Sequence, residues 1–186
     1  MSAKVEATVE ELYRVPENGK AEIVNGEIVL MPPTGDMPSR AGSSVYISLR
    51  THEGKTPGRA YADNAGFLVN LPNRRSFSPD AAWYVGPSTG MNFLEGAPVF
   101  AIAVRSEDDY GRSAERAMAE KRADYFAAGT LVVWDVNLLS DVVIKSYRVD
   151  SPDVPRIFRR GEIADAEPAL TEWSMRVDDL FYPESR

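Results

Sequence analysis

Two short apolar runs with one long helical stretch between them constrain this chain most. Val99-Phe100-Ala101-Ile102-Ala103-Val104 and Leu131-Val132-Val133-Trp134-Asp135-Val136 are continuous and rich in β-branched and aromatic side chains. Runs of this kind suit strands buried on both faces. Asp109 to Ala128 reads as a helix, and Gly129 stands where positive φ closes a helix C-terminus. Strand, helix, strand is a crossover unit, which brings the two strands into one sheet as a parallel pair. The expected class is α/β with a mixed central sheet flanked by helices.

The remaining segments add to that core. Thr8-Val9-Glu10-Glu11 has capping-box spacing and predicts a short helix stopped near Pro16. Asn25-Gly26 joins Ala21–Val24 to Glu27–Met31 and predicts a hairpin over 20–32, because both turn residues must take positive φ. Pro38 to Arg50 is an amphipathic helix with Val45, Tyr46 and Leu49 on one side. Gly66–Leu71 and Ser78–Val85 read as strands around the turn Pro72-Asn73-Arg74-Arg75, and Gly86–Gly96 as a loop. Val142–Val149 and Arg156–Arg160 read as neighbouring strands of a C-terminal β extension over 140–180, closed by a helical turn near Asp178–Phe181. One domain over 1–186 is expected, with its core at about 36–137.

Composition removes several chemistries. There is no cysteine and one histidine, His52, so disulfides, thiolate zinc sites, cysteine nucleophiles and multi-histidine metal sites are excluded. Any metal would rest on carboxylates, which favour Mg²⁺, Mn²⁺ or Ca²⁺. The formal charge of −7 argues against an overall basic nucleic-acid coat, although not against a local basic groove. No apolar run approaches the length of a membrane helix, and Met1–Glu6 lacks a signal-peptide core, so a cytoplasmic protein without membrane attachment is expected.

Two residues break the apolar pattern. Ala114, Met118, Lys121, Tyr125 and Ala128 share one helical face, which should pack on the sheet, yet Lys121 lies in its middle. Lys121 either pairs with an acid, for which Asp80 is the candidate, or snorkels to solvent. Asp80 follows Pro79 within a strand-like stretch, where both residue types are depleted. It is either a solvent-facing carboxylate at a strand start or a functional acid.

The order of motifs is similar to that of the Uma-two family, whose members are read as endonucleases of the restriction-endonuclease-like superfamily with a PD-(D/E)xK motif. The resemblance is carried by Ala21 to Val29 around Asn25-Gly26, Pro32-Pro33-Thr34-Gly35, Ser78-Pro79-Asp80, Val104 to Asp108, Lys121 to Gly129 and Val133-Trp134-Asp135-Val136. It covers roughly residues 8–180. It implies a core of helix, three strands, helix and strand. It also implies metal-assisted phosphodiester hydrolysis on DNA with Mg²⁺ or Mn²⁺, in which a carboxylate-bound ion polarises the phosphate and activates a water. Asp80 matches the motif aspartate, a metal ligand. Lys121 matches the motif lysine, carried here on the helix, and would orient the water or offset phosphate charge. Glu22 matches an acid of the hairpin that either joins the metal shell or is a cross-strand surface carboxylate.

At one position the chain departs from the family pattern. Val-Glu-Val is expected where this chain has Ile102-Ala103-Val104, so a methyl group stands in place of the second acidic ligand. Glu107, Asp108 and Asp109 fall past the strand end and read as a solvated turn. The resemblance thus implies an endonuclease that is inactive or impaired at Ala103. The alternative is a non-catalytic DNA-binding or dimerising protein on the same scaffold, and a homodimer fits the apolar N-terminal hairpin. Candidate nucleic-acid contacts are Arg40, Arg74 and Arg75, with Arg50, Lys55, Arg59, Arg156, Arg159 and Arg160 behind them. His52 reads as a surface group at a helix end.

Overall fold

The computed structural model describes residues 6–15 and 19–182. Helix α1 (Val9–Tyr13) opens on the complete capping box: the Thr8 hydroxyl accepts from the Glu11 N–H, and the Glu11 carboxylate accepts from the Thr8 N–H. The expected stop near Pro16 lies outside the described residues, and the helix has already ended at Tyr13. Strands β1 (Lys20–Val24) and β2 (Glu27–Met31) form the hairpin, with Asn25 and Gly26 at φ +50° and +74°. Helix α2 (Asp36–Arg50) buries Ala41, Val45 and Leu49 and packs Tyr46 beside them.

Strand β3 (Arg59–Ala62) was not anticipated from the sequence, because three of its four side chains are arginine or alanine. The segment expected as two long strands is more broken: β4 (Phe67–Leu68), β5 (Ser76–Phe77) and β6 (Ala81–Tyr84). β7 (Leu94–Glu95) lies in the expected loop and pairs parallel to β4. Then come β8 (Phe100–Val104), α3 (Arg112–Ala127) and β9 (Val132–Val136). The tail supplies β10 (Ile144–Arg148), β11 (Ser151–Phe158), β12 (Ile163–Ala166), β13 (Leu170–Arg176) and a 3-10 turn (Val177–Leu180).

The central sheet has the order β11-β10-β9-β8-β6-β3. β8 and β9 are parallel, as a crossover through α3 requires, and every other neighbouring pair is antiparallel. In chain order α2, β3, β6, β8, α3 and β9 supply helix, three strands, helix and strand. The tail divides: β10 and β11 widen this sheet, whereas β12 and β13 form a separate hairpin that folds under it.

Alternation along the strands sends side chains to two cores. Phe100, Ile102, Val104, Trp134 and Val136 meet α2, the β12–β13 hairpin and the 3-10 turn. Ala82, Tyr84, Ala101 and Val133 meet Phe67, Phe77 and Tyr125 on the α3 side. The expected apolar face of α3 is the one turned inward, but only Asp124 and Tyr125 are buried; Ala114, Met118, Lys121 and Ala128 stay half-buried. Among the described residues no helix is long and apolar enough to cross a membrane.

Candidate functional site

The site forms where the hairpin β1–β2 meets the α3 face of the sheet. Period two along β1 puts Lys20 and Glu22 on one side of the strand. β1 is held to the segment before β6 by the Asn25 N–H to Asn73 O and Arg75 N–H to Ile23 O bonds, and by the Ile23 N–H donating to Ser76 Oγ. Those bonds carry Lys20 and Glu22 to Ser78 and Asp80.

Glu22 is buried, 2% exposed, and so is not the surface carboxylate of the second alternative. Its Oε1 accepts from Lys121 Nζ at 2.7 Å and from the Ser78 N–H at 2.8 Å, and its Oε2 accepts from Arg74 at 2.6 Å. Arg74 also donates through Nε to Asp124 at 2.8 Å, and Asn73 donates to the other Asp124 oxygen. This arrangement removes Arg74 from the candidate nucleic-acid contacts, because its guanidinium lies in the interior between two carboxylates. Arg75 and Arg40 remain at the surface, and the Arg40 guanidinium lies 4.8 Å from the centre of the Tyr182 ring. The Lys121 side chain is 27% exposed, so it bridges the buried Glu22 and solvent.

Asp80 sits just before β6, its side chain 19% exposed. Its Oδ2 accepts from the Val104 N–H at 2.7 Å, which fixes the carboxylate against β8. Its Oδ1 accepts from Lys20, not Lys121, at 2.7 Å; Lys20 also donates to Asp63 at 2.6 Å. Burial alone would lower the Lys20 pKa, but Asp80 and Asp63 outweigh it and raise it above the usual lysine value. A cavity of about 100 Å³, lined by Asp80, Asp63, Ala62, Thr34, Pro38, Ser39, Gly42 and Ser43, opens beside this pair.

Tyr125 feels the charge of both carboxylates. It stacks on Phe77 at 3.9 Å, and its hydroxyl is buried without a hydrogen-bond partner. Burial, with the charges of Glu22 and Asp80 behind it, holds the phenol well above its ordinary pKa.

Ala103 lies in the row these residues border. The parallel register pairs it with Asp135, and extending Ala81↔Ile102 by one step sets Asp80 on its other side. Asp135 is gripped bidentately by Arg105, whose Nε and Nη2 each lie 2.7 Å from a carboxylate oxygen. Arg105 reaches on to Glu115 of α3, and these bonds hold the guanidinium pKa above its ordinary value, Asp135 contributing most. The acids flanking Ala103 and the nearby Glu22 cluster are thus each matched by a cation: Asp80 by Lys20, Asp135 by Arg105, Glu22 by Arg74 and Lys121.

That donor set does not fit a divalent cation. Mg²⁺ needs carboxylate oxygens free to face it. Here the oxygens of Asp80 and Glu22 already accept from Lys, Arg or backbone N–H groups, and Ala103 supplies none. Among the described residues no group of three or more His, Asp or Glu side chains is placed to hold a metal.

The sequence reading missed Lys20, Asp63 and the Arg105–Asp135–Glu115 cluster. Lys20 carried a usable signal, since it is two residues from Glu22 on the same strand. Asp63 carried none, because its loop reaches the site only through the fold. His52 is a correction: it is buried, with Nε2 3.1 Å from Thr171 O and its ring edge-on to Trp83, because the β12–β13 hairpin covers the end of α2.

Comparison with known proteins agrees with this architecture. A crystal structure from Anabaena variabilis ATCC 29413, described as "a putative nuclease belonging to DUF820", superposes with a TM-score of 0.73, covering 94% of this chain and 97% of its own at 17% identity. At that identity the likeness speaks for the fold alone. No curated protein gives a significant match. The Uma2 family, described as "Putative restriction endonuclease", matches residues 9–178. With nearly the whole chain matched, this protein belongs to the Uma2 family.

Proposed function

We propose that this chain is a nuclease of the restriction-endonuclease-like type, directed at DNA, in which phosphodiester hydrolysis is impaired by the methyl group at position 103. The observation that carries this reading is the row Asp80–Ala103–Asp135, with its acids neutralised by Lys20 and Arg105. An acid is missing at its centre, and the flanking acids are turned to internal ion pairs. Lys121 is the group we assign to the scissile phosphate. It is the solvent-reaching cation of the Glu22 cluster, and Glu22 keeps Arg74 and the Ser78 N–H when Lys121 swings away. An ammonium aimed at a phosphate stabilises the negative charge that grows on its oxygens. Asp80, oriented by the Val104 N–H and paired with Lys20, is the acid we assign to the same site.

The saturation of these carboxylates by cations also favours a second reading, a non-catalytic DNA-binding protein on the same scaffold. Plasmid nicking separates the two. Wild type is expected to nick supercoiled DNA weakly or not at all with Mg²⁺ or Mn²⁺. Ala103→Glu is expected to gain cleavage, and Ala103→Glu/Lys121→Ala to lose it again. A folded Ala103→Glu protein that binds DNA without nicking it overturns the nuclease reading in favour of the scaffold. Wild type nicking as fast as Ala103→Glu removes the role given to position 103.

A further inference from the structure

We propose that Lys20 is a built-in cation standing where a divalent ion would sit between Asp80 and Asp63, and that its charge sets how weakly this corner binds metal. The proposal rests on the nuclease reading above and deepens it by naming a second determinant beyond Ala103.

Three observations support it. The Lys20 ammonium is shared by two carboxylates from distant parts of the chain, 2.7 Å from Asp80 and 2.6 Å from Asp63, and its side chain is only 13% exposed. Two carboxylates converging on one compact positive charge is the arrangement a small hard cation demands, and a lysine ammonium is the side chain closest to a point charge. Second, Asp80 does not swing freely, because the Val104 N–H holds its other oxygen at 2.7 Å. The carboxylate would keep its aim if Lys20 were gone. Third, the cavity beside the pair is lined by both acids together with Thr34, Ser39 and Ser43, so there is space beside the carboxylates for an ion to approach.

Removing the ammonium leaves two adjacent carboxylates with no counter-charge. They would repel each other until a cation or a proton took the place of Lys20. Restoring the acid at position 103 adds a third carboxylate in register with Asp80. With Lys20 still present, an incoming ion must first displace a desolvated ammonium held by two acids.

Mn²⁺ binding by titration calorimetry tests this, with the paramagnetic resonance of Mn²⁺ as a second readout. The proteins compared are wild type, Ala103→Glu, Ala103→Glu/Lys20→Met and Ala103→Glu/Lys20→Arg. Lys20→Met is expected to tighten Mn²⁺ binding about tenfold or more over Ala103→Glu alone, and Lys20→Arg, which keeps the charge, to leave it unchanged. If the methionine variant is poorly folded without metal, the same gain is read as a Mn²⁺-dependent rise in Tm larger than that of Ala103→Glu. Equal affinities with and without the Lys20 charge, no binding to any variant, or an equal gain for arginine overturns the proposal. Nicking is scored separately. Tighter Mn²⁺ binding without cleavage sustains the role of Lys20 and brings down the nuclease reading. Cleavage by Ala103→Glu with Mn²⁺ affinity indifferent to Lys20 does the reverse.

Discussion

The two faces of the central sheet are built differently. On the α2 face, Phe100, Trp134 and Trp173 pack ring against ring at centroid distances of 5.1–5.7 Å, and α2, the β12–β13 hairpin and the 3-10 turn cover them. The α3 face has a small aromatic core around Phe77 and Tyr125, and beside it run the Glu22–Arg74–Asp124, Lys20–Asp80 and Arg105–Asp135 ion pairs. α3 itself is only lightly seated. Apolar burial stabilises without direction, whereas buried ion pairs roughly cancel their own desolvation and mainly fix geometry. The α2 face therefore holds the fold together, and the α3 face holds charges in place at a cost.

This contrast can be broken experimentally. The largest effect is expected from Trp134→Ala, which empties the centre of the α2 face and should cost about 3–5 kcal/mol in urea unfolding. A loss below about 1 kcal/mol would mean that this face is not the stabilising one. Arg74→Met should cost about 3 kcal/mol, because it leaves Glu22 and Asp124 buried without their shared cation. Adding Glu22→Gln should reduce that cost, since the amide oxygen still accepts from the Ser78 N–H without a charge to compensate. A double variant as unstable as Arg74→Met alone would show that the cluster stabilises the fold by more than geometry.

Lys121→Ala should change stability by no more than about 1 kcal/mol, because the side chain is partly solvated and Glu22 keeps its other partners. Its effect belongs in the nicking assay with Ala103→Glu.

The smallest effect concerns Glu115. The bonds donated by Arg105 hold its carboxyl below the ordinary value of 4.5, against the opposing pull of burial. A carboxylate depressed in the folded state stabilises above its unfolded pKa, and that contribution fades as pH falls through the folded value. Between pH 4.5 and the lower folded pKa, wild type should therefore lose stability faster than Glu115→Gln, until the two melting curves meet. The side chain is 53% exposed, so the difference is small, and high salt should shrink it further.

Much of the architecture was legible in the residues. The apolar runs at 99–104 and 131–136, the Asn25-Gly26 turn and the Gly129 helix end each act through local rules of burial or backbone conformation, and each predicted its element. β3, β7 and the β12–β13 hairpin were not legible in this way. They are short, or mix polar with apolar residues, and gain their strand character from the neighbour they pair with. At the candidate site, Lys121 stood out because a charge inside an apolar stripe requires a partner. The partner itself, Glu22, is 99 residues away, and the family resemblance singled it out only as an acid of the hairpin, not as the partner of Lys121. Arg74 was misplaced because an arginine in a polar turn resembles any surface arginine until the acids that enclose it are known.

The sequence alone determined that two strands run parallel around α3, that no thiol or histidine cluster supplies the chemistry, and that position 103 carries no acid. These follow from side-chain type and spacing, which are properties of the chain itself. The tertiary structure alone decided which cation each carboxylate meets. Lys20 rather than Lys121 faces Asp80, and Arg74 lies between Glu22 and Asp124, because the seating of β1 against the segment before β6 sets those distances. Electrostatic partnership depends on distance and burial, and neither is written in the order of the residues.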